Sequence, residues 1–101
     1  MKRWTLERTP RAEDDLLDIW AYVAAENPDA ADRLVRALSE QFRKTSDFPE
    51  LGQSVDWLVP GHRILTRGSY VLIYRILTAR HAVELVRVVH SARNWPALFD
   101  A

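Results

Sequence analysis

Trp4 and Leu6 alternate with polar neighbours ahead of Pro10. That period of two predicts a short strand over residues 3–8. Beyond Thr9-Pro10 the period lengthens. Leu16, Ile19, Trp20 and Val23 recur at helical spacing and form one apolar stripe. Thr9 is placed to cap this helix, Pro10 suits its first turn, and Glu13, Asp14 and Asp15 favour the positive N-terminal end. Asn27-Pro28 breaks it near Glu26. A second helix starts at once, with Asn27 as its cap and Ala31, Leu34, Val35, Leu38 and Phe42 as its stripe. It ends around Thr45, before Phe48-Pro49. So tight a connection implies an antiparallel helical hairpin. Residues 49–60, punctuated by Pro49, Gly52 and Pro60, read as a loop.

Three strands are predicted after the loop, over residues 62–66, 70–77 and 82–90, with Arg67-Gly68-Ser69 and Thr78-Ala79-Arg80-His81 as connections. Strict alternation puts Tyr70, Leu72, Tyr74 and Ile76 on one face of their strand, and Val71, Ile73, Arg75 and Leu77 on the other. In the last strand it groups Val83, Leu85, Arg87 and Val89 against Glu84, Val86, Val88 and His90. Strands apolar on both faces are central, and each face needs cover. The expected fold is α+β: a single domain over residues 1–101, of order β-α-α-β-β-β. A small antiparallel β-sheet forms a meander, and the N-terminal two-helix hairpin packs on one face. The hairpin covers only that face. The remaining apolar surface points to a protein partner, either an amphipathic helix or an added strand.

Composition narrows the function. At 101 residues and 48% apolar, the chain buries one modest core, so a stabilising partner is expected. It contains no cysteine, which excludes disulfides and thiolate metal sites and fits a reducing cytoplasm. No apolar run approaches the ~20 residues of a membrane helix, and the N-terminus lacks an apolar signal region, so neither a membrane nor export is expected. The zero net charge hides an asymmetry. Residues 1–60 hold 8 basic and 12 acidic side chains, and residues 61–101 hold 6 arginines and 2 acids. A duplex-DNA or ribosome binder carries an overall basic excess, which is absent here, so no direct nucleic-acid binding by the chain alone is expected. The basic segment is either a small anion-facing docking patch or the internal counterpart of the acidic half.

The motifs also resemble a known family. Ala12, Asp15-Leu16 and Asp18-Ile19-Trp20 are followed by Asn27-Pro28 with Ala30-Ala31, then Phe48-Pro49 and Gly52. Gly61 with Arg63, Tyr70, Tyr74-Arg75, Val83-Glu84, Arg87-Val88, His90 and Arg93-Asn94 complete the series. In this order and spacing they are similar to the ParE branch of the RelE/ParE toxins of type II toxin–antitoxin modules, over roughly residues 5 to 95. The resemblance implies a toxin held inactive by a cognate antitoxin, a ParD-like ribbon-helix-helix DNA-binding protein. It also implies DNA gyrase as the target. RelE-like relatives instead cut mRNA on the ribosome, and fold alone does not separate the two activities. An inactive relative serving in assembly or repression is a further alternative.

RNA cleavage needs a base, an acid and a positive group for the developing phosphate charge. Arg63, Arg87 and Arg93 suit the phosphate, and His90 suits proton transfer. No tyrosine follows Tyr74 and no lysine follows Lys44, so the bases that RelE-like nucleases usually add are missing. The chain is therefore expected not to be an enzyme. A histidine and a carboxylate or amine converging with the guanidinium groups in an open cleft would reverse that expectation.

Arg63, Arg87, Arg93 and Trp95 are the candidate target contacts. The competing reading pairs Arg63, Arg75 and Arg87 internally, Arg87 with Glu84, Asp15 or Asp18. It buries His90 as a neutral imidazole and folds Trp95 and Phe99 back over the core. Trp20 lies in the core stripe of its helix. Leu16, Trp20, Leu34, Leu38 and Phe42 mark the surface expected to receive the antitoxin. The three histidines lack metal-ligand spacing, Ser91 lacks an orienting acid, and three glycines make no phosphate loop, so no cofactor or metal is expected.

Overall fold

The computed structural model describes residues 3–99. Strand β1 (Thr5–Arg8) leads into α1 (Pro10–Ala24) and α2 (Pro28–Arg43). Both predicted caps form. The Thr9 side chain accepts from the Ala12 N–H at 3.0 Å, and Asn27 Oδ1 accepts from the Ala30 N–H at 3.0 Å. Each satisfies one donor that the first helical turn leaves open. Short 3₁₀ turns at Lys44–Ser46 and Pro49–Leu51 follow, then β2 (Gln53–Ser54), β3 (His62–Arg67), β4 (Tyr70–Leu77) and β5 (Ala82–His90). A 3₁₀ turn, Trp95–Phe99, ends the described chain.

The sheet order is β1-β5-β4-β3-β2. Strands β3, β4 and β5 form the expected antiparallel meander. The sheet as a whole is mixed, which corrects the all-antiparallel expectation: β1 runs parallel to β5, from Thr5 opposite Ala82 to Arg8 opposite Leu85. A parallel neighbour requires a long crossover, and the helical hairpin lies on that connection. The residue 49–60 segment also contributes a two-residue strand, β2, paired to β3.

The main core lies between hairpin and sheet. Leu16, Leu38 and Phe42 meet Leu65, Leu72, Tyr74, Val83, Leu85 and Val88 there. Strict alternation in β5 fails after Leu85. Tyr74 faces Leu85 but Ile73 faces Arg87, so Val86 is extra and β5 bulges. The inserted residue shifts the later side chains by one, which brings Val88 into the core with Leu85 and sends Val89 to the opposite face. That opposite face is not left open for a partner. Val71, Ile73 and Val89 are covered by Ile64 and by Trp95, Leu98 and Phe99 of the final turn.

Candidate functional site

The arginines of the basic segment are mostly committed within the fold. Arg87 grips Asp15 of α1 through Nε at 2.7 Å and Nη2 at 3.1 Å. The Val88 N–H donates to the same carboxylate at 2.9 Å. The Arg87 and Asp15 side chains are only 12% and 11% exposed. Arg75 pairs with Glu84 at 2.7 Å, and Arg80 holds Glu7 at 2.6 Å and 3.1 Å. Arg80–Glu7 and Arg87–Asp15 therefore join the acidic and basic halves of the sequence, while Arg75–Glu84 is internal to the basic one.

Arg63 contacts main chain instead. Its Nε donates to the Gly52 carbonyl at 2.8 Å, and its Nη2 to the Glu50 carbonyl at 3.4 Å. This bond belongs to a clasp that the sequence does not reveal. The buried Tyr74 hydroxyl donates to the Pro49 carbonyl at 2.7 Å and accepts from the Gly52 N–H at 2.8 Å. Burial raises the Tyr74 pKa above its ordinary value, against the opposing pull of the Gly52 N–H and the nearby Arg63 charge. A Cβ at Gly52 would stand 2.6 Å from the Ile64 oxygen and 2.7 Å from the Tyr74 ring and hydroxyl, so only glycine fits. The Phe48-Pro49-x-x-Gly52 spacing is the trace this clasp leaves in the sequence.

Arg93 is exposed. With His90 it lines an open cleft of about 520 Å³, together with Asp15, Asp18, Tyr22 and Tyr70. The His90 ring stands edge-on to Tyr70 at 5.2 Å, and its Nδ1 accepts from the Ala92 N–H at 3.0 Å. His90 is exposed, which corrects the expectation of a buried imidazole. It ends its strand, and the turn that follows leaves its ring at the surface. Trp95 is half-buried in the small core behind the sheet, its other predicted role as a cap.

The proposed antitoxin residues divide. Leu38 is 0% exposed and Phe42 2%, so both are enclosed by the helix–sheet core and offer a partner no surface. Trp20 is exposed, contrary to its assignment as core, and its Nε1–H donates to Asp32 Oδ1 at 2.8 Å on the outer side of the hairpin. Leu34 is half-buried. A cleft of about 470 Å³ floored by Leu16 and walled by Leu17, Trp20 and Val35 lies on this side, with Arg8 and Glu13 at its rim. Leu17 was missed because it falls outside the core stripe. Among the described residues, no group of three or more His, Asp or Glu is placed to hold a metal, and no helix is long and apolar enough to cross a membrane.

Known proteins resemble this chain in fold and in sequence. The chain superposes on a chromosomal ParDE toxin–antitoxin system from P. aeruginosa with a TM-score of 0.73 and 25% identity, covering 87% of this chain and 96% of that one. The toxin–antitoxin complex RelBE2 from Mycobacterium tuberculosis gives a TM-score of 0.68 at 28% identity, covering 87% and 98%. These likenesses define a toxin of the RelE/ParE type. The family model for the ParE toxin of type II toxin-antitoxin system, parDE, matches residues 6–95, and the chain belongs to that family. It is 34% identical over 95 residues to Toxin ParE1 of Caulobacter vibrioides, spanning 93% of this chain and 94% of the relative. It is 31% identical over 84 residues to Toxin ParE1 of Mycobacterium tuberculosis, spanning 82% and 85%.

Proposed function

We propose that the chain acts in the cytoplasm as one domain, residues 1–101, and stops growth by binding DNA gyrase without bond-breaking chemistry of its own. A cognate ParD-like ribbon-helix-helix antitoxin neutralises it. The observation that carries this reading is the internal commitment of Arg63, Arg75, Arg80 and Arg87. Guanidinium groups held by carboxylates and carbonyls are not free to gather around a phosphate in a cleavage transition state. The ParE family membership supports the same conclusion. The antitoxin would seat its apolar face in the Leu17–Trp20–Val35 cleft, with Leu16 as its floor and Leu34 nearby. Arg93 remains a candidate target contact.

The test is purified gyrase with supercoiled DNA. Adding the chain is expected to accumulate trapped DNA cleavage complexes, and adding the antitoxin to abolish them. Normal gyrase turnover at saturating toxin refutes the reading.

A second reading has an observation of its own. Of the three candidate arginines, only Arg93 joins His90 and the carboxylate of Asp18 in one cleft, a partial form of the convergence that would favour a ribonuclease of RelE type. Asp15 in the same cleft is held by Arg87 and the Val88 N–H. Under this reading His90→Gln abolishes growth arrest and ribosome-dependent mRNA cuts together. Under the first reading there are no such cuts to lose.

A further inference from the structure

The large apolar side chains exposed among the described residues fall into two sequence groups. Leu17, Trp20 and Tyr22 belong to α1, and Phe48, Leu51 and Trp57 belong to the segment between α2 and β3. The proposed antitoxin cleft takes in Leu17 and Trp20, and Tyr22 borders the His90 cleft. The second has no role in anything described so far.

Phe48 is 67% exposed and Leu51 48%, and both line a cleft of about 810 Å³ whose floor includes Trp4 and Ile76. The flanking charge is mainly acidic. Between Lys44 and His62 the sequence contains Asp47, Glu50 and Asp56 and no lysine or arginine, and all three acids line the cleft. Arg3 answers Asp47 at 3.1 Å, and Asp56 accepts from the Gly61 N–H at 2.8 Å and forms no ion pair among the described residues. Arg63 also borders the cleft, but its guanidinium is turned to the Gly52 and Glu50 carbonyls.

The Tyr74 clasp fixes the main chain of this segment from behind. Phe48 and Leu51 are thus displayed on a backbone already ordered, which lowers the entropy lost on binding. An exposed aromatic and an exposed aliphatic side chain on an ordered backbone, with the carboxylates of Glu50 and Asp56 beside them, form a protein-docking surface of defined chemistry.

We propose that this cleft docks a segment of the target protein in which an apolar side chain is flanked by lysine or arginine. The apolar group packs on Phe48, Leu51 and Trp4, and the flanking cations pair with Glu50 and Asp56. This extends the binding mode under Proposed function and makes the cleft distinct from the antitoxin seat on α1.

The experiment has two independent arms. In the first, a short amphipathic peptide of leucine and lysine is titrated into the labelled chain and followed by NMR. Shifts are expected at Phe48, Glu50, Leu51 and Asp56, with affinity reduced about tenfold or more in the Phe48→Ala/Leu51→Ala variant. The same peptide with glutamate for lysine is expected not to bind. Shifts confined to α1, equal binding by the variant, or binding of the glutamate peptide overturns the proposal. Both substituted side chains are exposed, so the variant is expected to melt like the parent.

In the second arm, the variant is expressed beside the parent. It is expected to lose growth arrest while still co-purifying with the cognate antitoxin. A variant that still arrests growth, or that no longer binds antitoxin, overturns the proposal. A parent that arrests nothing removes the toxin reading instead, and the peptide arm then decides the docking site alone.

Discussion

Arg87 is a candidate target contact by sequence and is paired with Asp15 in the fold, and a double-mutant cycle separates the two roles. Asp15→Leu leaves a guanidinium that is 12% exposed without its counter-charge, and the Val88 N–H without its acceptor. Breaking a buried pair from one side costs about 3 kcal/mol or more. The orphaned N–H adds about 1 kcal/mol. A domain of this size has a total stability of only about 5–15 kcal/mol, so the loss is a large fraction. At about 4–8 °C per kcal/mol, the melting temperature is expected to fall by roughly 15–30 °C.

Arg87→Met strands the Asp15 carboxylate, which keeps the Val88 N–H, and is expected to cost about 2–3 kcal/mol. Joining the two changes replaces the pair with apolar volume and is expected to restore most of the loss, with a coupling of about 2 kcal/mol or more. Urea unfolding followed by tryptophan fluorescence reads all four corners of the cycle. The restored double variant is also expected to arrest growth as the parent does. Single-variant losses below about 1 kcal/mol would refute the buried-pair reasoning. A double variant that is stable but inactive would return Arg87 to the target surface.

Gly52→Ala is expected to cost about 2–4 kcal/mol in urea unfolding, because its Cβ collides with the Ile64 oxygen and forces the Tyr74 clasp open. The Tyr74 pKa is raised in the folded chain above the ordinary value of 10.0, so above pH 10 the folded state holds a proton that the unfolded state releases. Unfolding free energy is therefore expected to be unaffected by this group below pH 10 and to fall as pH rises through the raised value, a slope that Tyr74→Phe removes. Trp95→Ala is expected to destabilise by about 1–2 kcal/mol in the same assay, since Trp95 is half-buried against Val71, Ile73 and Val89. An unchanged midpoint would show that the tail does not cover that face.

What was legible in the sequence was mostly local. Thr9-Pro10 and Asn27-Pro28 announce both helices because capping chemistry acts within three residues. The strands of the meander follow from apolar runs and short connections. The parallel pairing of β1 with β5 was not legible, since it joins residues far apart and β1 carries no mark of strand direction. The β5 bulge was missed for a related reason: Val86 looks like any other strand residue, yet it reverses the faces of everything after it. The charge asymmetry was visible as a sum, but whether it formed a patch or a set of pairs depended on the fold. Asp15 meets Arg87 only because α1 lies on β5. Trp20 shows the limit of periodicity, since an apolar stripe wider than its contact leaves one member in solvent.

The central claim is inhibition by docking, and it is tested most directly in one induced culture. DNA breaks linked to gyrase and new mRNA 5′ ends are measured side by side before growth stops. Docking predicts that gyrase-linked breaks rise while mRNA ends stay at the uninduced pattern. New ribosome-dependent mRNA ends with gyrase unperturbed would contradict it.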